Sequence, residues 1–469
     1  MSLFSNSVYR RCRRGFRRRS LLLAGSLLAF GYLANAEEAS QPFGRPLIPD
    51  MIADASVVEI DGIFYCYATT DGWGQHLSTS GTPVVWTSRD FVNWSFEGSI
   101  FPADFKLKYW APSAPVKLDG RYYLFPTLDG KITAAVSDSL KGPFHPLSGE
   151  NWVPFPIEQK SAIDAEIFRD DDGQAYMFYS RRRVVKLKPD LSGPDGPVQT
   201  IDTGETAYSE GPCVFKRNGI YYYLYTLGGG ETYAYAYVMS RTSILGPWIQ
   251  PKDKIIAKTD ASVGILGPGH GCFLNPPGTD DWYFIHLEYG RGSTNRQTFA
   301  QKMTFNEDGT IKPITLTNQG VGAIHQVAAS RPNLALGGVA TASSVRQDMG
   351  VKLTPPSPPR IETFAPALAI DYSNGSRWMA AAGDTSPWWQ IDLGAPRDIV
   401  GTEVYFVKPS AGHAYKLESS LDGETWSPYG GHPDIALRSP HVDKKPARVR
   451  YLRLTILAGE PGIWEFRVY

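Results

Sequence analysis

Between residues 45 and 316, apolar and polar positions alternate over short runs and never hold a 3.6-residue period long enough for an amphipathic helix. The runs are rich in aromatic residues, and a tight turn repeatedly precedes one of them. Asp61-Gly62 precedes Phe64-Tyr65-Cys66-Tyr67, Asp119-Gly120 precedes Tyr122-Tyr123-Leu124-Phe125, and Asp172-Gly173 precedes Tyr176-Met177-Phe178-Tyr179. Asn218-Gly219 precedes Tyr221-Tyr222-Tyr223, and a longer turn around Gly278–Asp281 precedes Trp282-Tyr283-Phe284. Asp-Gly and Asn-Gly are hairpin signals because both residues tolerate the positive φ that matches strand twist. A second strand pair is predicted behind each hairpin: Val85–Ser88 with Trp94, Thr133–Ser137 before Gly142-Pro143-Phe144, Val184–Leu187, Tyr237–Ser240 before Gly246-Pro247-Trp248, and Phe299–Phe305. Five units of roughly 45–60 residues, each with four short strands, predict the blades of a five-bladed β-propeller. A sandwich of regular hairpins is the competing reading, but it leaves the recurring Gly-Pro-aromatic endings without a reason.

A different pattern starts at Asn333-Leu334-Ala335. Period-two alternation runs through Trp388–Gly394, Thr402–Phe406, Tyr415–Ser420, Val449–Leu454 and Glu465–Tyr469, with a turn at Asp422-Gly423. This predicts an antiparallel β-sandwich. The chain is therefore expected to be all-β, with a propeller over 37–316, a linker over 317–332 and a sandwich over 333–469. The propeller, having a core of its own, is expected to fold without the sandwich. A Pro-Ser-rich insertion at Pro355–Pro359 is expected to be a surface loop.

Residues 1–36 read as an export signal and not as part of the fold. Seven arginines between Arg10 and Arg19 form a basic stretch, an apolar run from Leu21 to Leu33 follows, and Ala34-Asn35-Ala36 offers small residues for cleavage. The apolar run is short for a membrane span, so no stable insertion is expected once the signal is removed; an uncleaved N-terminal anchor is the alternative. Arg13-Arg14-Gly15-Phe16 fits a twin-arginine signal as well as an ordinary basic region. The expected location is outside the cell or in the periplasm.

Export changes the charge balance. The whole chain has 47 basic and 47 acidic residues, and loss of the seven arginines leaves a net of about −7. Nucleic acid is thereby an unsuitable partner. Beyond Cys12, the remaining Cys66, Cys213 and Cys272 lie in apolar strand-like runs without metal-binding spacing, and are expected to be free buried thiols.

The chemistry is carried by residues just upstream of the turns. Asp54, Trp110, Asp164, Glu210 and His270 stand eight to ten residues ahead of Gly62, Gly120, Gly173, Gly219 and Gly278. That places each at the start of a blade's first strand, the strand that lines a propeller's axis. Three acids, a tryptophan and a histidine should then converge on one cavity. Convergent carboxylates suit general acid–base chemistry, and glycoside hydrolysis needs a carboxylic acid for the leaving oxygen and a carboxylate for water. A third carboxylate beside the acid favours its protonated form by repulsion. Aromatic walls suit the C–H faces of sugars. Taken singly, each acid reads equally well as a solvated turn residue, as Asp170-Asp171-Asp172 does; the shared register sets the trio apart.

These residues resemble glycoside hydrolase family 43. The resemblance rests on Ala53-Asp54-Ala55-Ser56, Trp110-Ala111-Pro112, Ile163-Asp164-Ala165, Ser209-Glu210-Gly211-Pro212, Gly269-His270-Gly271 and Asp308-Gly309-Thr310-Ile311. It implies an inverting mechanism in which Asp54 is the general base, Glu210 the general acid, and Asp164 tunes and orients Glu210. His270 would lie beneath the sugar, holding a water or a structural calcium ion, with no cofactor required for the chemistry; Arg296 would contact substrate and Trp110 wall the pocket. Ala55 departs from the proline that many members carry there. The expected substrate is a polysaccharide or oligosaccharide, with α-L-arabinofuranosidase the leading activity and β-xylosidase or β-galactofuranosidase the alternatives; a non-catalytic glycan-binding propeller is the rival of another class. Nothing in the sequence identifies a protein partner. The C-terminal segment resembles the discoidin, or coagulation-factor type C, family through Ala369-Ile370-Asp371, Arg377-Trp378, Trp389–Gly394 and Ser420–Trp426, and Tyr372, His413 and Trp464 are its candidate binding residues.

Overall fold

In the computed structural model, residues 45–70, 80–289, 296–325, 332–351 and 360–469 are described. Residues 1–36, read above as an export signal, and the Pro355–Pro359 insertion lie outside them. Three of the hairpin turns take positive φ at both central residues: Asp61 and Gly62 (54° and 72°), Asp119 and Gly120 (48° and 80°), and Asn218 and Gly219 (50° and 74°). That is the backbone of a two-residue turn whose twist matches its strands. The third blade turns differently. There only Gly173 is left-handed, and its N–H bonds back to Asp170.

These turns organise five antiparallel sheets. The first contains Ile52–Ile60, Ile63–Thr70, Val85–Ser88 and Trp94–Glu97. The second contains Val116–Leu118, Arg121–Leu124, Ala135–Ser137 and His145–Pro146, with a small sheet of Tyr109–Trp110, Thr127–Leu128 and Lys131–Ile132 beside it. The third has Glu166–Arg169, Ala175–Tyr179, Arg183–Lys186 and Gln199–Thr200; the fourth has Cys213–Arg217, Ile220–Leu227, Ala234–Ser240 and Ile255–Lys258. The fifth consists of Gly269–Leu274, Trp282–Tyr289 and Arg296–Met303. Among the described residues it has three strands instead of the expected four. The incoming chain lies against its outermost strand, where Leu47 N–H donates to the Thr298 carbonyl at 2.7 Å.

Burial shows how the sheets become a ring. Five apolar clusters each join two neighbouring blades, and the clusters run one–two, two–three, three–four, four–five and five–one. The last of them packs Cys272 and Ile285 of the fifth blade against Ile52, Val57 and Phe64 of the first. The protein is a five-bladed β-propeller closed by side-chain packing. Aromatic residues dominate because adjacent twisted sheets diverge outward and leave wide gaps to fill. Phe215 of the fourth blade, for instance, lies 4.6 Å from Tyr222 and 4.8 Å across the gap from Trp282, between ring centroids. Burying such a ring contributes about 1.5–3 kcal/mol. Cys66, Cys213 and Cys272 are free and buried within these cores.

The C-terminal strands form two facing sheets. One joins Val339–Ala342, Trp388–Ile399, Ala447–Ala458, His413–Ser420 and Ser427–Ala436, the other Trp378–Met379, Gly462–Val468, Thr402–Phe406 and His441–Asp443. Trp389, Ile391, Leu417, Leu454 and Phe466 fill the space between them. Two of the three expected loop residues belong to the interior instead. His413 is fully buried and stacked on Phe406, and Trp464 is fully buried with Met51, Phe364 and Met379. His413 packs into the sandwich against Phe406, and Trp464 is covered where the segment at Met51 docks, so neither is a surface binding residue.

The sandwich docks on the propeller through backbone as well as side chains. Arg438–Ser439 pairs with Trp94–Glu97 and extends the first blade to five strands. Asn374 Nδ2 donates to the carbonyls of Pro46 and Leu47, and Met51 enters a sandwich-side core with Trp464. Two independent cores would not require this degree of contact.

Candidate active site

Each blade carries one left-handed residue at the same point of its chain: Asp54 (φ 52°), Ala111 (39°), Asp164 (61°), Gly211 (55°) and His270 (21°). They precede the turn glycines by eight or nine residues, a tighter register than the candidate side chains show. Asp54, Asp164 and His270 occupy this position themselves, while Trp110 and Glu210 come one residue earlier. Strand pairing slips at two of these points, between Ala53 and Ser56 and between Gly269 and Cys272. Such bulges re-aim side chains near active sites, and holding a non-glycine residue left-handed costs of order 1–3 kcal/mol.

The left-handed positions bring Asp54, Asp164 and His270 together. His270 Nδ1 lies 3.2 Å from Asp54 Oδ1 and 3.6 Å from Asp164 Oδ2. Gly211 permits this approach, because a β-carbon there would come within 2.7 Å of the His270 ring. Asp54 is held on three sides. Arg296 donates from Nη1 to Oδ1 (2.9 Å) and from Nη2 to Oδ2 (3.1 Å), and the Thr69 hydroxyl donates to Oδ2 at 2.7 Å. Burial alone would raise its pKa. The Arg296 and His270 charges, with the Thr69 hydrogen bond, outweigh that and hold the carboxyl below its usual range.

Asp164 has the opposite environment. Its Oδ2 accepts the Gly211 N–H at 3.2 Å, and its own N–H donates to the Thr127 hydroxyl at 3.0 Å. Burial is the largest influence and raises its pKa; His270 opposes it, while the charges of Glu210 and Asp54 add to it, and the carboxyl is pushed up to about 7. Two aspartates touching one histidine thus ionise in different pH ranges.

Glu210 is fixed through its neighbours. Its N–H donates to the Thr226 hydroxyl at 3.0 Å; Tyr208 donates to Oε2 at 3.1 Å and Tyr233 to Oε1. Tyr208 is 43 % exposed, stands two residues from Glu210 and has the Arg181 guanidinium over its ring at 5.4 Å. Trp110 is half-buried on the second blade, where the next amide, Ala111 N–H, donates to Thr69. Thr69 therefore ties the Asp54 carboxylate to the Trp110 segment.

Asp54, Asp164, Glu210, His270 and Arg296 accordingly form one linked group, with Trp110 beside it. Sequence reasoning missed Thr69, Thr127, Thr226, Tyr208 and Tyr233. Tyr208 had a signal in its closeness to Glu210; Tyr233 and the threonines sit on other strands and are joined to the site only by folding. Among the described residues no group of three or more His, Cys, Asp or Glu side chains could hold a metal ion. Calcium takes six to eight oxygen ligands. The carboxylate oxygens nearest His270 already serve Arg296, Thr69 and Gly211, so they form no protein cage for it.

Acids of unlike ionisation near a propeller's axis, with tyrosine and tryptophan rings beside them, suit the hydrolysis of a carbohydrate. The Glycosyl hydrolases family 43 profile matches residues 43–311, and the chain belongs to that family. The F5/8 type C domain profile matches residues 340–467. A solved structure described as a glycoside hydrolase is 51% identical, covers 92% of this chain and 100% of its own, and superposes with a TM-score of 0.88. The beta-D-galactofuranosidase xynD of Aspergillus niger is 29% identical over 302 residues, spanning 59% of this chain and 86% of its own length. The arabinoxylan arabinofuranohydrolase of Bacillus subtilis is 25% identical over 370 residues, spanning 62% and 68%.

Proposed function

We propose that this protein is an inverting, exo-acting glycoside hydrolase that releases terminal α-L-arabinofuranosyl units from polysaccharide or oligosaccharide. The observation that carries this reading is the contrast at the axis: an Asp54 held ionised by Arg296 and His270, and a Glu210 oriented by two tyrosine hydroxyls. Asp54 takes a proton from water as the water oxygen attacks the anomeric carbon. The glycosidic C–O bond breaks, and Glu210 gives its proton to the departing oxygen. The cycle leaves a sugar of inverted configuration, a protonated Asp54 and an ionised Glu210, and solvent exchange resets both. Asp164 acts on Glu210 through position, because its carboxylate holds the amide of the next residue, Gly211. Trp110 and Tyr208 supply ring faces for the sugar. No step runs through a metal.

The A. niger relative favours β-D-galactofuranosides as a second substrate class. The two sugars share ring configuration and differ only in the exocyclic arm, which is longer by one CHOH in galactofuranose. A pocket for one ring therefore needs only extra depth to take the other.

A panel of nitrophenyl α-L-arabinofuranoside, β-D-galactofuranoside and β-D-xyloside tests the specificity, and NMR of the first-formed sugar tests the stereochemistry. Retention of configuration would overturn the base role of Asp54. Asp54→Asn should lower kcat about 10³-fold or more on every substrate. Glu210→Gln should be comparably damaging for natural glycosides but much milder for an aryl glycoside whose leaving group departs without a proton. Equal damage on both would refute the acid role. We also propose export, to the periplasm or beyond the cell. Protein recovered from there should begin near Glu37, and N-terminal sequencing that finds Met1 would exclude cleavage.

A further inference from the structure

A cavity lies between the two domains, away from the axis. Its volume is about 760 Å³, within the range of small-molecule sites. One wall is the outer half of the first blade, including Asn93 and Trp94–Glu97. The other is the sandwich, including Tyr372, Glu403, Tyr405 and Arg467. With neighbouring strands about 4.8 Å apart, this wall is about 15 Å from the strand that bears Asp54.

Its chemistry is particular. Arg467 is only 7 % exposed, yet it lines the cleft. Nη1 donates to Asn93 Oδ1 at 2.7 Å, and the guanidinium lies 4.8 Å from the Tyr405 ring and 5.7 Å from the Tyr372 ring. Asn93 Nδ2 in turn donates to Asp90 Oδ2 at 2.7 Å, so Arg467 and Asn93 brace the wall of the cleft. Tyr372 presents a ring that is 47 % exposed, from a left-handed backbone (φ 61°) that a bulky residue rarely adopts. The charged side chains balance, Lys141 and Arg467 against Glu97 and Glu403. An exposed aromatic face in a cleft whose charged side chains balance suits a neutral sugar chain better than a polyanion or polycation.

We propose that this interdomain cleft is a secondary binding site for a neutral oligosaccharide segment of the polymer, stacked on Tyr372. The assignment rests on the polysaccharide reading of the enzyme for its choice of ligand, but not on the furanosidase activity. It tests by affinity electrophoresis of the full chain in gels containing soluble arabinoxylan, linear arabinan or galactan, with polygalacturonate as the charged control. Tyr372→Ala removes the stacking face, and Leu336→Trp fills the cleft from a half-exposed lining position. The wild type should be retarded by at least one neutral polymer. Both variants should bind at least fivefold more weakly, while kcat/KM on a nitrophenyl glycoside stays within twofold. Absence of retardation by any neutral polymer, wild-type retardation in both variants, or preference for polygalacturonate would each overturn the proposal. If retardation falls in both variants but no nitrophenyl glycoside is cleaved, the cleft stands and the furanosidase reading fails.

Discussion

At the scale of single residues, the site works by giving similar groups dissimilar surroundings. Asp54 and Asp164 both contact His270, but only Asp54 has a guanidinium fork. Replacing Arg296 with Gln removes the charge that opposes burial, so the Asp54 carboxyl should titrate higher. The acid limb of the pH–rate profile should then move to higher pH; an unmoved limb would deny Arg296 this role. Asp164 gives a prediction on stability. Folding raises its carboxyl from 3.8 to about 7, so between these values the folded chain keeps a proton that the unfolded chain has lost. The contribution of this group is intact below pH 4 and is lost as pH rises through 7. Asp164→Asn should therefore gain thermal stability relative to wild type at pH 8 compared with pH 4, as calorimetry at the two pH values would show. Gly211→Ala should cost both activity and about 1–3 kcal/mol, since it combines a left-handed φ with a clash against His270.

At the scale of elements, turn chemistry and inter-blade packing make separable contributions. Asp119 holds φ 48° in a two-residue turn. Asp119→Gly should be nearly neutral, whereas Asp119→Val should cost about 1–2 kcal/mol because a branched β-carbon is crowded there. Phe215→Ala removes a ring that bridges two blades and should cost about 3–5 kcal/mol in urea denaturation. The Asp-Gly and Asn-Gly turns were readable because they are local: two adjacent residues determine the twist. The sandwich strands were readable for the same reason, since alternation along one strand records which face is buried. The fifth blade was read less well, because what lies beside its outer strand is a segment some 250 residues earlier in the chain.

At the scale of the whole molecule, the domains share a strand ladder. A chain cut after residue 331 would leave Trp94–Glu97 as an open edge and expose Met51, three residues from Asp54. Open edges invite aggregation. The isolated propeller should thus melt well below the intact protein and lose activity on small glycosides, which thermal denaturation and aryl-glycoside assays would show. Equal melting temperature and activity would mean that the interface is incidental. The all-β class, the hairpins, the buried core of the sandwich and the register of Asp54, Asp164 and Glu210 are legible in the chain alone, because each is written in residues a few positions apart. Tertiary structure alone decided that Arg296 grips Asp54 from 242 residues away, that Tyr233 reaches Glu210, and that His413 and Trp464 are interior. It also decided that a strand of the sandwich extends the first blade to five strands. The physical reason is that these pairings depend on ring closure, which brings together strands whose order in the chain carries no record of which side chains will meet.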